Sequence, residues 1–176
     1  NTMDGRNLLR YYVEIEKLKR TQRFASCKED LRESTADHCW KLALLVIDVA
    51  ERYNIDVDVK RAVKLALMHD LCEYQGDQDF DSYHVLTGVR SEQDKKEFER
   101  KAVEHLRHEY GRNDVFDIWM EFEDCKTRES RYVKALDRME PMIHCIDFDG
   151  RLAENRPNGV DHQLRYADDK VEKFPE

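Results

Sequence analysis

The stretch Ala62-Val63-Lys64-Leu65-Ala66-Leu67-Met68-His69-Asp70-Leu71-Cys72-Glu73 runs a helix-forming, mostly apolar segment straight into a histidine and two acids. Adjacent residues of a helix point about 100° apart, so His69 and Asp70 reach one point only at the edge of a buried face. A helix end facing a cavity permits that arrangement. Glu73 lies four residues after His69 and three after Asp70, which puts it on their face. Burying a His, an Asp and a Glu within one turn is costly unless something positive compensates them. A divalent cation would.

Outward from this stretch the chain reads as helices. Leu8, Leu9, Tyr12, Ile15 and Leu18 predict a first helix, and residues 26–32 form a polar interval. Ser34 or Thr35 is available to cap a second helix, whose stripe is Leu42, Leu45, Val46, Val49 and Tyr53. Asn54-Ile55-Asp56 breaks it, and Val59, Val63, Leu67 and Met68 begin a third. Residues 74–90 show no period and read as a loop. Phe98, Ala102, Val103 and Leu106 predict a helix ending near Gly111; Val115, Ile118, Trp119 and Phe122 predict another. A further helix covers residues 132–146, a turn residues 155–159, and a short helix residues 162–173. Strand-like alternation is missing, so the expectation is an all-α, compact helical bundle in one domain spanning residues 1–176.

Composition narrows the function. With 40% hydrophobic residues, 6 Gly and 3 Pro in 176 residues, the chain has enough apolar surface for a sizeable core and is neither collagen-like nor disordered. Thirty Lys and Arg against 38 Asp and Glu leave a net charge of −8, which argues against wrapping nucleic acid. A small phosphorylated substrate held by one or two placed cations remains compatible with it. No apolar run approaches the ~20 residues of a membrane helix, and residues 1–10 lack a secretory apolar stretch. Cys27, Cys39, Cys72, Cys125 and Cys145 form no CxxC pair, which fits reduced thiols in a cytoplasmic protein. Cys39 and Cys72 sit in apolar helical patterns as core fillers.

Two more polar residues stand in apolar surroundings. His38 shares a stripe with Leu42 and Leu45, and Asp137 lies within Val133-Lys134-Ala135-Leu136-Asp137-Arg138-Met139. Pro141, four residues on, cannot donate to the Asp137 carbonyl, which predicts a kink that opens the backbone there. Singly, each has a plain alternative: a hydrogen-bonded core histidine, or an aspartate in solvent or an ion pair. His, His-Asp and Asp on three separate helices are harder to explain that way. His38, His69, Asp70 and Asp137 together supply two imidazoles and two carboxylates, enough to balance a divalent ion. Without thiolate the set favours an octahedral Mn, Co, Fe or Ni, or a tolerant Zn, with positions left for water and substrate. Such an ion acidifies water and polarises a phosphoryl oxygen.

In this order and context the chain resembles the HD-domain superfamily of metal-dependent phosphohydrolases, whose signature is H…HD…D. Its spacings here are 31 residues from His38 to His69 and 67 from Asp70 to Asp137. The words Glu33-Ser34-Thr35-Ala36-Asp37-His38, Met68-His69-Asp70-Leu71-Cys72-Glu73 and Lys134-Ala135-Leu136-Asp137-Arg138-Met139-Glu140-Pro141 are similar to the branch of bacterial 5'-deoxynucleotidases and their eukaryotic relatives. The resemblance covers roughly residues 8–170. It implies an HD-type bundle in which Arg23-Phe24, 15 residues before His38, contacts the nucleotide. Arg23 would grip phosphate through its planar fork and Phe24 would pack on sugar or base; a surface cation and a core aromatic are the plain alternatives. Glu73 matches the acid that orders the attacking water. Gly76-Asp77 resembles a second acidic position, one residue short of the family spacing, with Asp79 and Asp81 close enough to substitute.

The expected activity is hydrolysis of (deoxy)nucleoside 5'-monophosphates, with Glu73 and Asp77 catalytic, Arg23 and Phe24 binding substrate, and a divalent metal as cofactor. The partner is therefore a small phosphorylated nucleotide, not nucleic acid or membrane. A homodimer is expected by analogy with relatives. The alternatives are a phosphodiesterase or pyrophosphohydrolase acting on another nucleotide, and a non-catalytic nucleotide- or metal-binding module.

Overall fold

A computed structural model describes residues 4–23, 33–75 and 91–145, with residues 144 and 145 as backbone only. Phe24, residues 26–32, Asp77, Asp79, Asp81, and the turn and helix expected within 155–173 lie outside the described residues. Among the described residues six α-helices form: α1 (Gly5–Ile15), α2 (Thr35–Tyr53), α3 (Val59–Met68), α4 (Glu92–Tyr110), α5 (Asn113–Asp124) and α6 (Arg128–Cys145). Glu16–Lys19 and His69–Gln75 continue α1 and α3 as 3-10 turns. No strand is present among the described residues; the one extended pairing is an isolated bridge between Gln22 and Ser34. No helix among them is long and apolar enough to cross a membrane.

Local chemistry explains the boundaries. Ser34 caps α2 through a capping box: its hydroxyl accepts from the Asp37 N–H, and the Asp37 carboxylate accepts from the Ser34 N–H. Ser91 and Asp94 repeat the device at α4. Asp58 caps α3 by accepting from the Arg61 N–H. At the other ends Asn54, Gly111 and Cys125 turn the chain with positive φ, each accommodating the left-handed residue that ends a helix. Pro141 sits inside α6, which runs on past it to Cys145.

Two apolar clusters hold the helices together. In one, Leu42 and Val46 of α2 meet Ala62, Leu65 and Ala66 of α3, Ile118 and Phe122 of α5, and Val133 and Leu136 of α6. In the other, Tyr11 and Leu18 pack with Leu71, Cys72 and Tyr74, with Ala102, Val103 and Leu106 of α4, and with Val115 and Trp119 of α5. Met68 touches both clusters, so the chain passes the seam between them just before His69.

Three stripes face differently from the sequence expectation. On α1, Tyr11 is buried, while Leu9 is 70% exposed and Tyr12 also faces out. The Arg112 guanidinium lies 4.0 Å above the Tyr11 ring, and Tyr110 meets it edge-on at 5.9 Å. These partners select one of two adjacent tyrosines. On α3 the fully buried residues are Ala62, Leu65 and Ala66, Val59, Val63 and Met68 pack at the edge of the core, and Leu67 alone of the four expected positions lies outside; small alanines let α3 approach α2 where larger residues would hold it off. Tyr53, in the last turn of α2, is likewise exposed. Trp119 and Phe122 are buried in the core, as are Cys39 and Cys72.

The α3 assignment is checked by paired truncations followed in chemical denaturation. Leu65, with no exposure, should lose about 2–5 kcal/mol on change to alanine. Leu67, 45% exposed, should stay within about 0.5 kcal/mol when changed in the same way.

Candidate metal centre

His38 enters from the first turns of α2, His69 and Asp70 from the point where α3 tightens into a 3-10 turn, and Asp137 from the middle of α6. Tightening matters, because at three residues per turn Asp70 and Glu73 eclipse on one face. His38 Nε2 lies 3.0 Å from Asp137 Oδ1 and 3.8 Å from Asp70 Oδ2. His69 Nε2 lies 3.2 Å from Asp70 Oδ2 and 3.5 Å from Asp137 Oδ1. Both imidazoles are buried, and Phe122 packs on His69 with ring centroids 4.5 Å apart. The structure therefore brings together the four residues expected to converge.

The outer nitrogens assign the tautomers. His38 Nδ1 is 2.5 Å from the Glu140 carboxylate, and His69 Nδ1 is 3.0 Å from the Ala66 carbonyl. Both neighbours are acceptors, so each Nδ1 carries the proton and each Nε2 turns a lone pair inward. Two lone pairs then face two carboxylates. His69 Nε2 is buried and makes no well-directed hydrogen bond, facing the Asp70 and Asp137 carboxylates instead. A cation shared by the four atoms satisfies all of them, and His38, His69 and Asp137 offer ligand atoms within 4.8 Å of one another. The donor set fits a divalent ion.

Charge in this pocket is set by competition between burial and neighbours. Burial raises the Asp70 and Asp137 carboxyls, but the histidines overcome it and hold both below the usual carboxylate range. Burial opposes charge on His69, yet Asp70 and Asp137 push its pKa up to about 10. His38 moves down, through burial and the Arg23 guanidinium.

Arg23 is not a surface cation. Its Nη1 donates to Asp70 Oδ2 at 3.0 Å, and its side chain is 19% exposed. Glu73 accepts a hydrogen bond from the Thr35 hydroxyl at 2.7 Å. Burial and Asp70 raise the Glu73 carboxyl against the opposing pull of Arg23 and Lys95. That is the direction expected of a carboxylate tuned to take a proton. On α4, Lys95 pairs with Glu99 at 3.4 Å, and burial pushes Glu99 up to about 7.

Several residues of the pocket went unassigned in the sequence. The sequence offers Ser34 or Thr35 as the α2 cap; Ser34 takes that place, and the Thr35 hydroxyl donates to Glu73 instead. Glu140 stands three residues after Asp137 and Lys41 three after His38, a same-face spacing that would have marked both. Glu33, directly before the cap, carries no such periodic signal.

Because a metal would displace the proton from His69, affinity for Mn should rise with pH, by about tenfold per unit below a pKa near 10. Calorimetric titrations between about pH 6 and pH 9, in buffers of differing ionisation enthalpy, should report about one proton released per ion. His69→Ala should abolish the thermal shift that saturating Mn produces in the unaltered protein.

Comparison with known proteins places the chain among metal-dependent phosphohydrolases of the HD-domain type. The 5'-deoxynucleotidase HDDC2 of Dictyostelium discoideum is 28% identical over 170 residues, covering 90% of this chain and 84% of the relative. The HDDC2 protein of Xenopus laevis is 27% identical, covering 87% of this chain and 74% of its own. Among solved structures, a predicted metal-dependent phosphohydrolase from Magnetospirillum magnetotacticum superposes with a TM-score of 0.68 at 28% identity, over 95% of this chain and 90% of that one. A conserved hypothetical protein from Pyrococcus furiosus shares the fold, with a TM-score of 0.66 at 21% identity, over 94% of this chain and 99% of the other. The HD-domain family model matches residues 15–174, and with that span the chain belongs to the HD-domain family.

Proposed function

We propose that the protein hydrolyses nucleoside 5'-monophosphates, deoxynucleotides above all, to nucleoside and inorganic phosphate. The observation that carries this reading is Arg23. A partly buried guanidinium bonded to Asp70, inside the candidate ligand set, puts a planar cation beside the position where a metal-bound phosphoryl group would sit. The 5'-deoxynucleotidase relatives support the same substrate class.

A divalent ion held by His38, His69, Asp70 and Asp137, one of Mn, Co, Fe, Ni or Zn, would acidify water and polarise the phosphoryl oxygens. The protein does the rest. Arg23 turns its planar fork to the phosphate and neutralises charge that grows in the transition state. Glu73, aimed by the Thr35 hydroxyl, accepts the proton of the attacking water. Asp77 protonates the leaving 5'-oxygen or holds the sugar, and Phe24 packs against sugar or base. The net charge of −8 disfavours a nucleic-acid strand, so the substrate in this reading is a small phosphorylated molecule. The reading extends to a cytoplasmic homodimer; Leu9, Tyr12 and Val13, exposed together on α1, support a contact between copies.

Phosphate release with Mn or Co across ribo- and deoxynucleoside 5'-monophosphates, with 3'-monophosphates, cyclic nucleotides and pyrophosphates as comparators, tests the reading. Release from the 5'-monophosphates is expected; metal-loaded protein that cleaves none of them would refute it. Glu73→Gln should lower kcat by about 10²–10⁴ while metal stays bound. Arg23→Ala should raise KM as well as lower kcat.

A further inference from the structure

Six side chains close a ring around the metal centre. Arg23 Nη1 contacts Asp70 at 3.0 Å, and Asp70 lies 3.8 Å from His38 Nε2. His38 Nδ1 bonds Glu140 Oε2 at 2.5 Å, and Glu140 Oε1 pairs with Lys41. Lys41 Nζ holds Glu33 Oε1 at 2.7 Å, and Glu33 Oε2 returns to Arg23 Nε at 3.6 Å. The chain itself reinforces the last link, since the Arg23 N–H donates to the Glu33 carbonyl at 2.9 Å.

Exposed ion pairs contribute little, but these are not exposed. The Glu33 and Glu140 side chains are each 1% accessible, and Lys41 spans them from the rim with 31% of its side chain accessible. A buried carboxylate that loses its cation must move, take up a proton or admit water. Glu140 uses one oxygen for His38 and the other for Lys41; Glu33 divides its oxygens between Lys41 and Arg23. Displacing the ammonium therefore disturbs both ends of the ring.

We propose that Lys41 is a positioning residue that ties the grip of Arg23 on the substrate phosphoryl group to the His38 corner of the metal centre. The Arg23 half of this proposal rests on the phosphohydrolase reading; the His38 half rests only on the metal centre. Lys41 touches neither ion nor substrate. It sets the place of Glu140, which fixes the tautomer and direction of His38, and of Glu33, which braces the guanidinium of Arg23.

The test uses the whole protein, with Mn as one probe and inorganic phosphate, bound to Mn-saturated protein, as the other. Lys41→Met should weaken both by about tenfold or more, and Lys41→Arg, which restores the charge, should recover most of each loss. A Lys41→Met protein that is folded by circular dichroism and binds both probes like the parent overturns the proposal. Loss of only one affinity overturns it equally, since the two ends would then be independent. If Lys41→Met does not fold, Glu140→Gln takes its place. That change keeps an acceptor at His38 but removes the charge facing Lys41, so at saturating Mn phosphate binding must fall; unchanged phosphate binding refutes the tie. A parent protein that binds Mn, but neither binds phosphate nor cleaves any monophosphate, overturns the functional reading and the Arg23 half. The effect of Lys41→Met on Mn affinity then decides the His38 half.

Discussion

Two ionised carboxylates and two imidazole lone pairs aimed at one buried point make a demand that the rest of the molecule is arranged to meet. Asp70 and Asp137 come from different helices, and each lies within 4 Å of an Nε2. In a medium less polar than water such an assembly repels itself unless positive charge sits within it. Nearby cations are already committed: Arg23 to Asp70 and Glu33, Lys41 to Glu33 and Glu140. Asp70 and Asp137 nevertheless both face the two imidazole Nε2 atoms, and a divalent ion at that point would bind all four donors at once.

Packing brings the four groups to that point. α3 lies against α2 through alanines, and α6 crosses close enough for the Tyr132 hydroxyl to donate to the Val46 carbonyl at 2.8 Å. α5 serves both clusters, Phe122 facing His69 in one and Trp119 filling the other. The tightening after Met68 then turns Asp70 and Glu73 to the same side. Helix ends set by Ser34, Asn54 and Asp58 fix where along the axes His38 and His69 fall.

Periodicity made α4 and α5 readable, since Ala102, Val103, Leu106, Val115, Ile118, Trp119 and Phe122 all point inward as their spacing required. It failed where apolar residues outnumber the places to bury them. Between Tyr11 and Tyr12 the choice belongs to Arg112 and Tyr110, about a hundred residues away. Between Leu65 and Leu67 it belongs to the alanine seam. In the pocket, His38, His69, Asp70 and Asp137 stood out because titratable groups in apolar stretches need a reason. Glu140 and Lys41 were legible at helical spacing from residues already chosen, whereas the Glu33 partnership with both Arg23 and Lys41 had no local sign.

Local interactions are written within a few residues of chain, so the helices, their caps and the suspicion of a metal-binding set could be read from the sequence. Which face of α1 and α3 turns inward, whether Arg23 folds onto Asp70, and how Lys41 closes a ring of charge depend on contacts between residues up to about a hundred positions apart. Such contacts acquire their energy only when the helices have packed and excluded water, because desolvation is what makes an unmatched charge expensive. That step belongs to the tertiary structure.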